Sequence, residues 1–67
     1  MINYAAVEPW SGTVSFEGPD EFQAAETETW TLYCEDPDGT IRSARQVAID
    51  RGQSRALDLR SACARRQ

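Results

Sequence analysis

Histidine and lysine are both missing from this chain of 67 residues. Without histidine, neither a Ser-His-Asp triad nor a Cys-His pair can be built. Without lysine, a Schiff base and a Ser-Lys dyad are also excluded. Carboxylates remain as candidate acids and bases, but nothing in their spacing singles out a pair. We therefore expect a protein that is not an enzyme and has no catalytic residues.

Cysteine is scarce, with Cys34 and Cys63 as its only two positions. Two thiolates without histidine do not supply the four ligands of a structural zinc site, so we expect no metal and no cofactor. The 36–39 segment (Asp-Pro-Asp-Gly) begins like a calcium loop, but the third acidic position and the distal glutamate are missing. The two cysteines could form one disulfide. Because the N-terminus does not read as a secretory signal, we expect two buried thiols instead.

Long apolar runs are also missing, since no stretch of the sequence approaches the ~20 apolar residues of a membrane-spanning helix. We therefore expect a cytoplasmic protein with no membrane partner. The chain is predicted to form one small domain, 1–67, near the lower size limit for an independent hydrophobic core. Its six aromatic residues would supply much of that core. A homodimer would be a natural supplement to so small a core.

The charges that are present are unevenly distributed along the chain. Residues 1–39, which are acidic and predicted to be β-rich, contain nine carboxylates and no cationic side chain, which gives a charge of −9. Residues 40–67, which are arginine-rich, contain seven arginines and two aspartates, which gives +5, and the two sum to the net charge of −4. Because protein surfaces usually mix both signs, this asymmetry indicates partners chosen by charge.

Alternating apolar and polar residues predict three strands in the acidic region. They are Ile2–Val7, expected at a sheet edge because Pro9 follows it, then Thr13–Glu17, and residues 28–35. The 36–39 segment is predicted to be a turn whose glycine adopts a positive φ. Residues 22–25, which include Phe22, fit either a short helix or a loop.

The arginine-rich region is less clear in its pattern. Ile41, Ala44, Val47 and Ala48 follow helical spacing, so we favour a helix within 40–51 over a returning hairpin strand. Residues 55–60 alternate like a strand, although 56, 59 and 63 would also align on a helix, and a loose basic tail would follow. The predicted fold class is α+β, with a small antiparallel sheet of three or four strands and one helix packed on one face.

The acidic residues are the leading candidates for contact with a partner. Same-face residues repeat every ~6.8 Å along a strand, and strands lie ~4.8 Å apart. Carboxylates on such a lattice have separations comparable to those of duplex phosphates, so a basic cleft for nucleic acid could accept them. Plain solvation of the surface is the competing interpretation. The candidates are Glu17, Asp20, Glu21, Glu26, Glu28, Glu35, Asp36 and Asp38.

By its length, its acidic run from Glu17 to Asp38 and its lack of catalytic residues, the chain resembles small acidic phage and mobile-element proteins. This group includes anti-CRISPR proteins and other DNA mimics. The resemblance implies a stoichiometric inhibitor that docks on a basic host protein or nucleoprotein complex. Its target would be the DNA-binding or PAM-reading surface.

The arginines support an alternative function, which is nucleic-acid binding. On a helix, Arg42 and Arg45 would share one face and could contact phosphates. Only this alternative has nucleic acid as a partner. The competing structural interpretation is that the arginines pair with carboxylates of the same molecule. The candidate residues are Arg42, Arg45, Arg51, Arg55 and Arg60.

Overall fold

The computed structural model describes residues 2–20, 22 and 24–63. Within these ranges the chain forms five strands and one short helix. In chain order they are β1 (Ile2–Val7), β2 (Thr13–Glu17), β3 (Thr27–Glu35), β4 (Ile41–Asp50), β5 (Ser54–Asp58) and α1 (Leu59–Cys63). The predicted contact residue Glu21 and the predicted basic tail at Arg65 and Arg66 lie outside the described residues.

The strands form two sheets, which we call the large sheet and the small sheet. The large sheet has the order β1-β3-β4, with β1 parallel and β4 antiparallel to β3. The small sheet pairs β2 with β5 in antiparallel fashion. Because side chains alternate between the two faces of a sheet, every second residue of the large sheet faces the small sheet. We call this its inner face.

The core lies between the inner face and the small sheet. Phe16 of β2 and Leu32 of β3 are 0% exposed, and Val47 and Ile49 of β4 are also buried. The Phe16 ring lies 4.9 Å from the Trp30 ring, measured between centroids. Leu57 and Leu59 of the β5–α1 segment also contact this core. The core therefore depends on a few large side chains drawn from several elements.

The predicted α+β fold is wrong, because the favoured helix within 40–51 is strand β4. Among the described residues, the helical structure is limited to the five residues of α1. The helical spacing of Ile41, Ala44 and Ala48 was misleading, since all three are exposed. The residues that β4 buries, Val47 and Ile49, are two apart, as a strand requires. Pairing with β3 after a tight turn decides the conformation.

The predictions for the other strands are confirmed, with small changes at their ends. β1 lies at an edge of the large sheet, and β2 has the predicted bounds. β3 begins one residue earlier than predicted, and Gly39 in the following turn has φ +93°. The strand predicted at 55–60 ends at Asp58, where α1 begins. Phe22, Ala24 and Ala25 lie in turn, bend or irregular structure, so the loop interpretation is correct for them.

Cys34 and Cys63 form a disulfide, so the expectation of two buried thiols is wrong. α1 carries Cys63 back over the inner face, where the Cα atoms of the two cysteines are 5.7 Å apart. Both residues are buried, with exposures of 1% and 4%. The bond joins positions 29 residues apart. In the chain-entropy model, closing a loop of that length stabilises the fold by about 3.6 kcal/mol.

We expect a Cys34→Ala/Cys63→Ala variant to lose about 3–4 kcal/mol of unfolding free energy, a large fraction of what a small domain has. Urea denaturation of the oxidised protein and the variant measures this difference. Reductant should destabilise the wild type and leave the variant unchanged, which serves as the control. Two titratable thiols in the purified, unreduced protein would contradict the disulfide.

Candidate functional site

The predicted acidic contact residues are divided between the two ends of β3. Glu17, Asp20, Glu26 and Glu28 lie where β2 ends and β3 begins, and Asp50 of β4 joins them there. We call this the loop end, because it includes the loop 18–26 between β2 and β3. Glu35, Asp36 and Asp38 lie at the opposite end of β3, which we call the turn end. Residues 28 and 35 are seven positions apart in the sequence, which corresponds to about 23 Å along a strand.

At the turn end, the carboxylates stabilise the turn between β3 and β4. Asp36 Oδ2 forms an ion pair with Arg42 Nε at 2.6 Å, and the Asp36 side chain is 14% exposed. Asp38 Oδ1 accepts a hydrogen bond from the Thr40 backbone N–H at 2.9 Å. That bond, together with one from the Thr40 hydroxyl, holds the pKa of Asp38 below its ordinary value. These two carboxylates therefore have local structural partners.

At the loop end, exposed carboxylates from several elements come together. Glu17, Asp20, Glu26 and Asp50 are all exposed, and Glu28 is half-buried. Asp50 Oδ1 accepts a hydrogen bond from Thr27 Oγ1 at 3.0 Å, which joins β4 to the start of β3. Two shallow, open depressions of about 330 and 350 Å³ lie beside these residues. The arrangement is an acidic surface with shallow relief, suited to contact with a large partner.

The nearest arginine at the loop end, Arg51, contacts the backbone of the loop. Its Nη2 donates to the carbonyl oxygens of Ala24 at 3.1 Å and Ala25 at 2.6 Å. Its backbone N–H donates to Glu26 O at 2.7 Å. Arg51 thus fastens the second half of the loop to the β4–β5 turn.

The first half of the loop is fastened by backbone hydrogen bonds and by a glycine. Gly18 N donates to Gln53 O at 3.0 Å, and Gly52 N donates to Pro19 O at 3.4 Å. A Cβ atom on Gly18 would lie 2.0 Å from Asp50 O, so the close approach of β2 to the end of β4 requires glycine here. Both ends of the loop are therefore held against the β4–β5 turn.

The centre of the loop presents Phe22, whose exposure is 90%. Its backbone N–H donates to Asp20 Oδ1 at 2.8 Å. The sequence-based prediction counted Phe22 among the core aromatics and missed it as a surface residue. The available signal was its position between turn residues and acidic neighbours, outside any alternating or helical pattern.

The candidate arginines are distributed over several elements and do not form one face. The expected shared helical face of Arg42 and Arg45 is wrong, because both lie on β4. The register shifts between Cys34 and Glu35, which places Arg42 at a bulge beside the turn end. Arg51 lies at the loop end, Arg55 on β5 and Arg60 on α1. The pair of Arg42 with Asp36 supports the internal-pairing interpretation for that residue.

Neither a metal site nor a membrane span is present within the described ranges of the chain. There, no group of three or more potential ligands from His, Cys, Asp and Glu is placed to hold a metal ion. No helix in the same ranges has the length and apolar character needed to cross a membrane.

Comparison with known proteins adds no assignment. No protein-family model matches the chain, and neither does any curated protein or solved structure. We therefore infer function from the geometry of the loop end.

We expect Gly18→Ala to lower the unfolding free energy by about 1–3 kcal/mol, because the new methyl group must displace the backbone of Asp50. Urea denaturation measures this loss. Ser15→Ala, at an exposed position of the preceding strand β2, should stay within about 0.5 kcal/mol of the wild type. Equal stability of the two variants would show that the β2–β4 approach tolerates a side chain.

We expect Arg51→Met to destabilise the protein by about 1–2 kcal/mol, since it removes the hydrogen bonds to Ala24 and Ala25 while keeping an apolar stem. Arg55→Met is the matched control, because it makes the same charge change at an exposed position of β5. Thermal unfolding and limited proteolysis within 18–26 provide the measurements. Faster cleavage in both variants would contradict a specific role for Arg51.

Proposed function

We propose that this protein is a non-enzymatic binding module. In this proposal its loop end docks on the basic, nucleic-acid-binding surface of another protein and blocks it. The observation that supports the proposal is the gathering of Glu17, Asp20, Glu26 and Asp50 at one end of the fold. The nearby cation, Arg51, donates hydrogen bonds to loop carbonyls. Even with the positive charge of Arg51 counted, these four carboxylates leave the loop end acidic.

The net charge of the protein is too small to mimic a DNA duplex over the whole surface, so we restrict the proposed mimicry to the loop end. The molecule is 40 Å long in its greatest extent, and a B-DNA duplex of that length carries about 24 phosphate charges. The chain has a net charge of only −4. Docking through the whole surface would therefore reproduce little of a duplex. Docking through the loop end uses the carboxylates where they are concentrated, and their field speeds association.

The disulfide changes the location that we propose. Disulfides form and persist mainly in oxidising environments, and Cys34 and Cys63 are both buried. We therefore propose that the protein acts in its oxidised form outside the reducing cytosol, in place of the expected cytoplasmic location. An anti-CRISPR-like inhibitor of an intracellular complex would instead act with both thiols reduced. Titration of thiols in protein isolated from its native source distinguishes these two versions.

A set of neutralised variants tests whether the loop end carries the binding. Glu17→Gln, Asp20→Asn and Glu26→Gln together remove three charges at the loop end and keep hydrogen-bonding side chains. Glu8 also lies at the turn end, where its backbone N–H donates to Glu35 O at 2.8 Å. Glu8→Gln, Glu35→Gln and Asp38→Asn therefore remove the same charge at the turn end, as the matched control. The baits are immobilised and incubated with nuclease-treated extract of the native host. Recovery is measured at about 0.1 M and at about 1 M salt. The higher salt concentration shortens the screening length of charge–charge interactions from about 10 to about 3 Å.

We expect the wild type and the turn-end variant to recover the same basic proteins at low salt. The loop-end variant should recover at least about tenfold less, since it lacks the steering and contact charges. High salt should release the partner from the wild type. Equal recovery by both variants would contradict docking through the loop end. Recovery of nucleic acid, without a basic protein, from a parallel extract that has not been treated with nuclease would support the arginine alternative in its place.

A further inference from the structure

Phe22 differs from the other exposed apolar side chains of the described chain. Its exposure is 90%, compared with 54% for Ile41 and 50% for Val7. Single exposed apolar residues are common on protein surfaces and need no explanation by themselves. The surroundings of Phe22 are what distinguish it, because the loop that presents it is fastened at both of its ends.

Hydrogen bonds of the described residues on both sides of Phe22 tether its loop before any partner binds. Asp20 accepts the Phe22 N–H, Gly18 bonds to Gln53, and Arg51 bonds to Ala24, Ala25 and Glu26. A loop whose two ends are already held loses less conformational entropy when it binds. An aromatic side chain with only two rotatable torsions adds little to that cost. Tethering on both sides therefore lowers the entropic cost of using Phe22 as a contact.

The charges around Phe22 indicate the chemistry of its partner. Asp20 and Glu26, on either side of it in the loop, are exposed carboxylates, and Glu17 lies where the loop begins. Interfaces commonly place an aromatic anchor at the centre and polar or charged residues at the rim. A complementary surface would have an apolar pocket with arginine or lysine around it. An anionic membrane would repel the same carboxylates.

We propose that Phe22 is the anchor of the loop end, and that it inserts into an apolar pocket bordered by basic residues on a partner protein. This inference rests on the proposed function and adds the partner's pocket to it. A surface built only to bind phosphates would offer charge without such a pocket. Phe22 therefore determines which basic surfaces the protein selects.

The test compares four immobilised baits in nuclease-treated extract of the native host at about 0.1 M salt. They are the wild type, Phe22→Ala, Ile41→Ala as the matched control at the turn end, and the loop-end variant with three neutralised carboxylates. Recovered proteins are quantified by mass spectrometry, and the most enriched basic protein is purified and titrated against each bait. Because Phe22 is 90% exposed, its replacement should leave the thermal unfolding midpoint unchanged.

We expect Phe22→Ala to bind the purified basic protein about 30-fold more weakly than the wild type, the loss typical of an aromatic hot spot. Ile41→Ala should bind within about twofold of the wild type. If Phe22→Ala keeps full affinity while the loop-end variant loses it, the role of Phe22 as an anchor is overturned and the proposed function stands. If the loop-end variant keeps full affinity, or no basic protein is recovered, both proposals are overturned.

A second copy of this chain is the other candidate for covering Phe22, and the test must distinguish it from a basic partner protein. Sedimentation equilibrium of the wild type and Phe22→Ala measures the oligomeric state directly. We expect both to sediment as monomers, because their loop ends repel each other. A wild-type dimer that Phe22→Ala dissociates would overturn the assignment to a basic partner.

Discussion

The packing of Phe16 against Trp30 is the contact on which the rest of the structure depends. Within the described residues the two sheets are not joined by a strand ladder, so side chains must hold them together. Phe16 is completely buried, and its ring also lies 6.1 Å from that of Tyr4. Trp30 Nε1 donates to Glu17 O at 3.0 Å, which fixes the end of β2 on β3. The disulfide then closes the turn end of the same core.

The geometry of the loop end follows from this aromatic contact. Because Trp30 holds the carbonyl of Glu17, the next residue, Gly18, lies directly against the end of β4. The β4–β5 turn is thereby placed beside the loop, where Arg51 reaches the carbonyls of residues 24 and 25. The candidate site is thus a consequence of how the small sheet packs on the large one.

Local pattern was sufficient for the strands whose alternation is complete and was insufficient elsewhere. β2 and β3 could be predicted because the apolar residues around Phe16 and Leu32 alternate with polar ones at the two-residue period of a strand. β4 could not be predicted in this way, because only Val47 and Ile49 mark its buried face and most of its remaining residues are small or polar. The disulfide could not be predicted, since it depends on α1 bringing distant residues together. The division of the acidic residues between two ends likewise depends on the pairing of whole strands.

Folding changes the meaning of the charge asymmetry. The arginine-bearing strand β4 pairs along nearly the whole of the acidic strand β3, so the two halves of the sequence are not two halves of the molecule. The loop end keeps Glu17, Asp20, Glu26 and Asp50 exposed, and Phe22 is the largest exposed apolar side chain among the residues described there. Burying a phenylalanine side chain contributes about 1.5–3 kcal/mol, which this small domain does not gain in its own core. In the proposed complex the partner covers Phe22, so the same free energy contributes to binding.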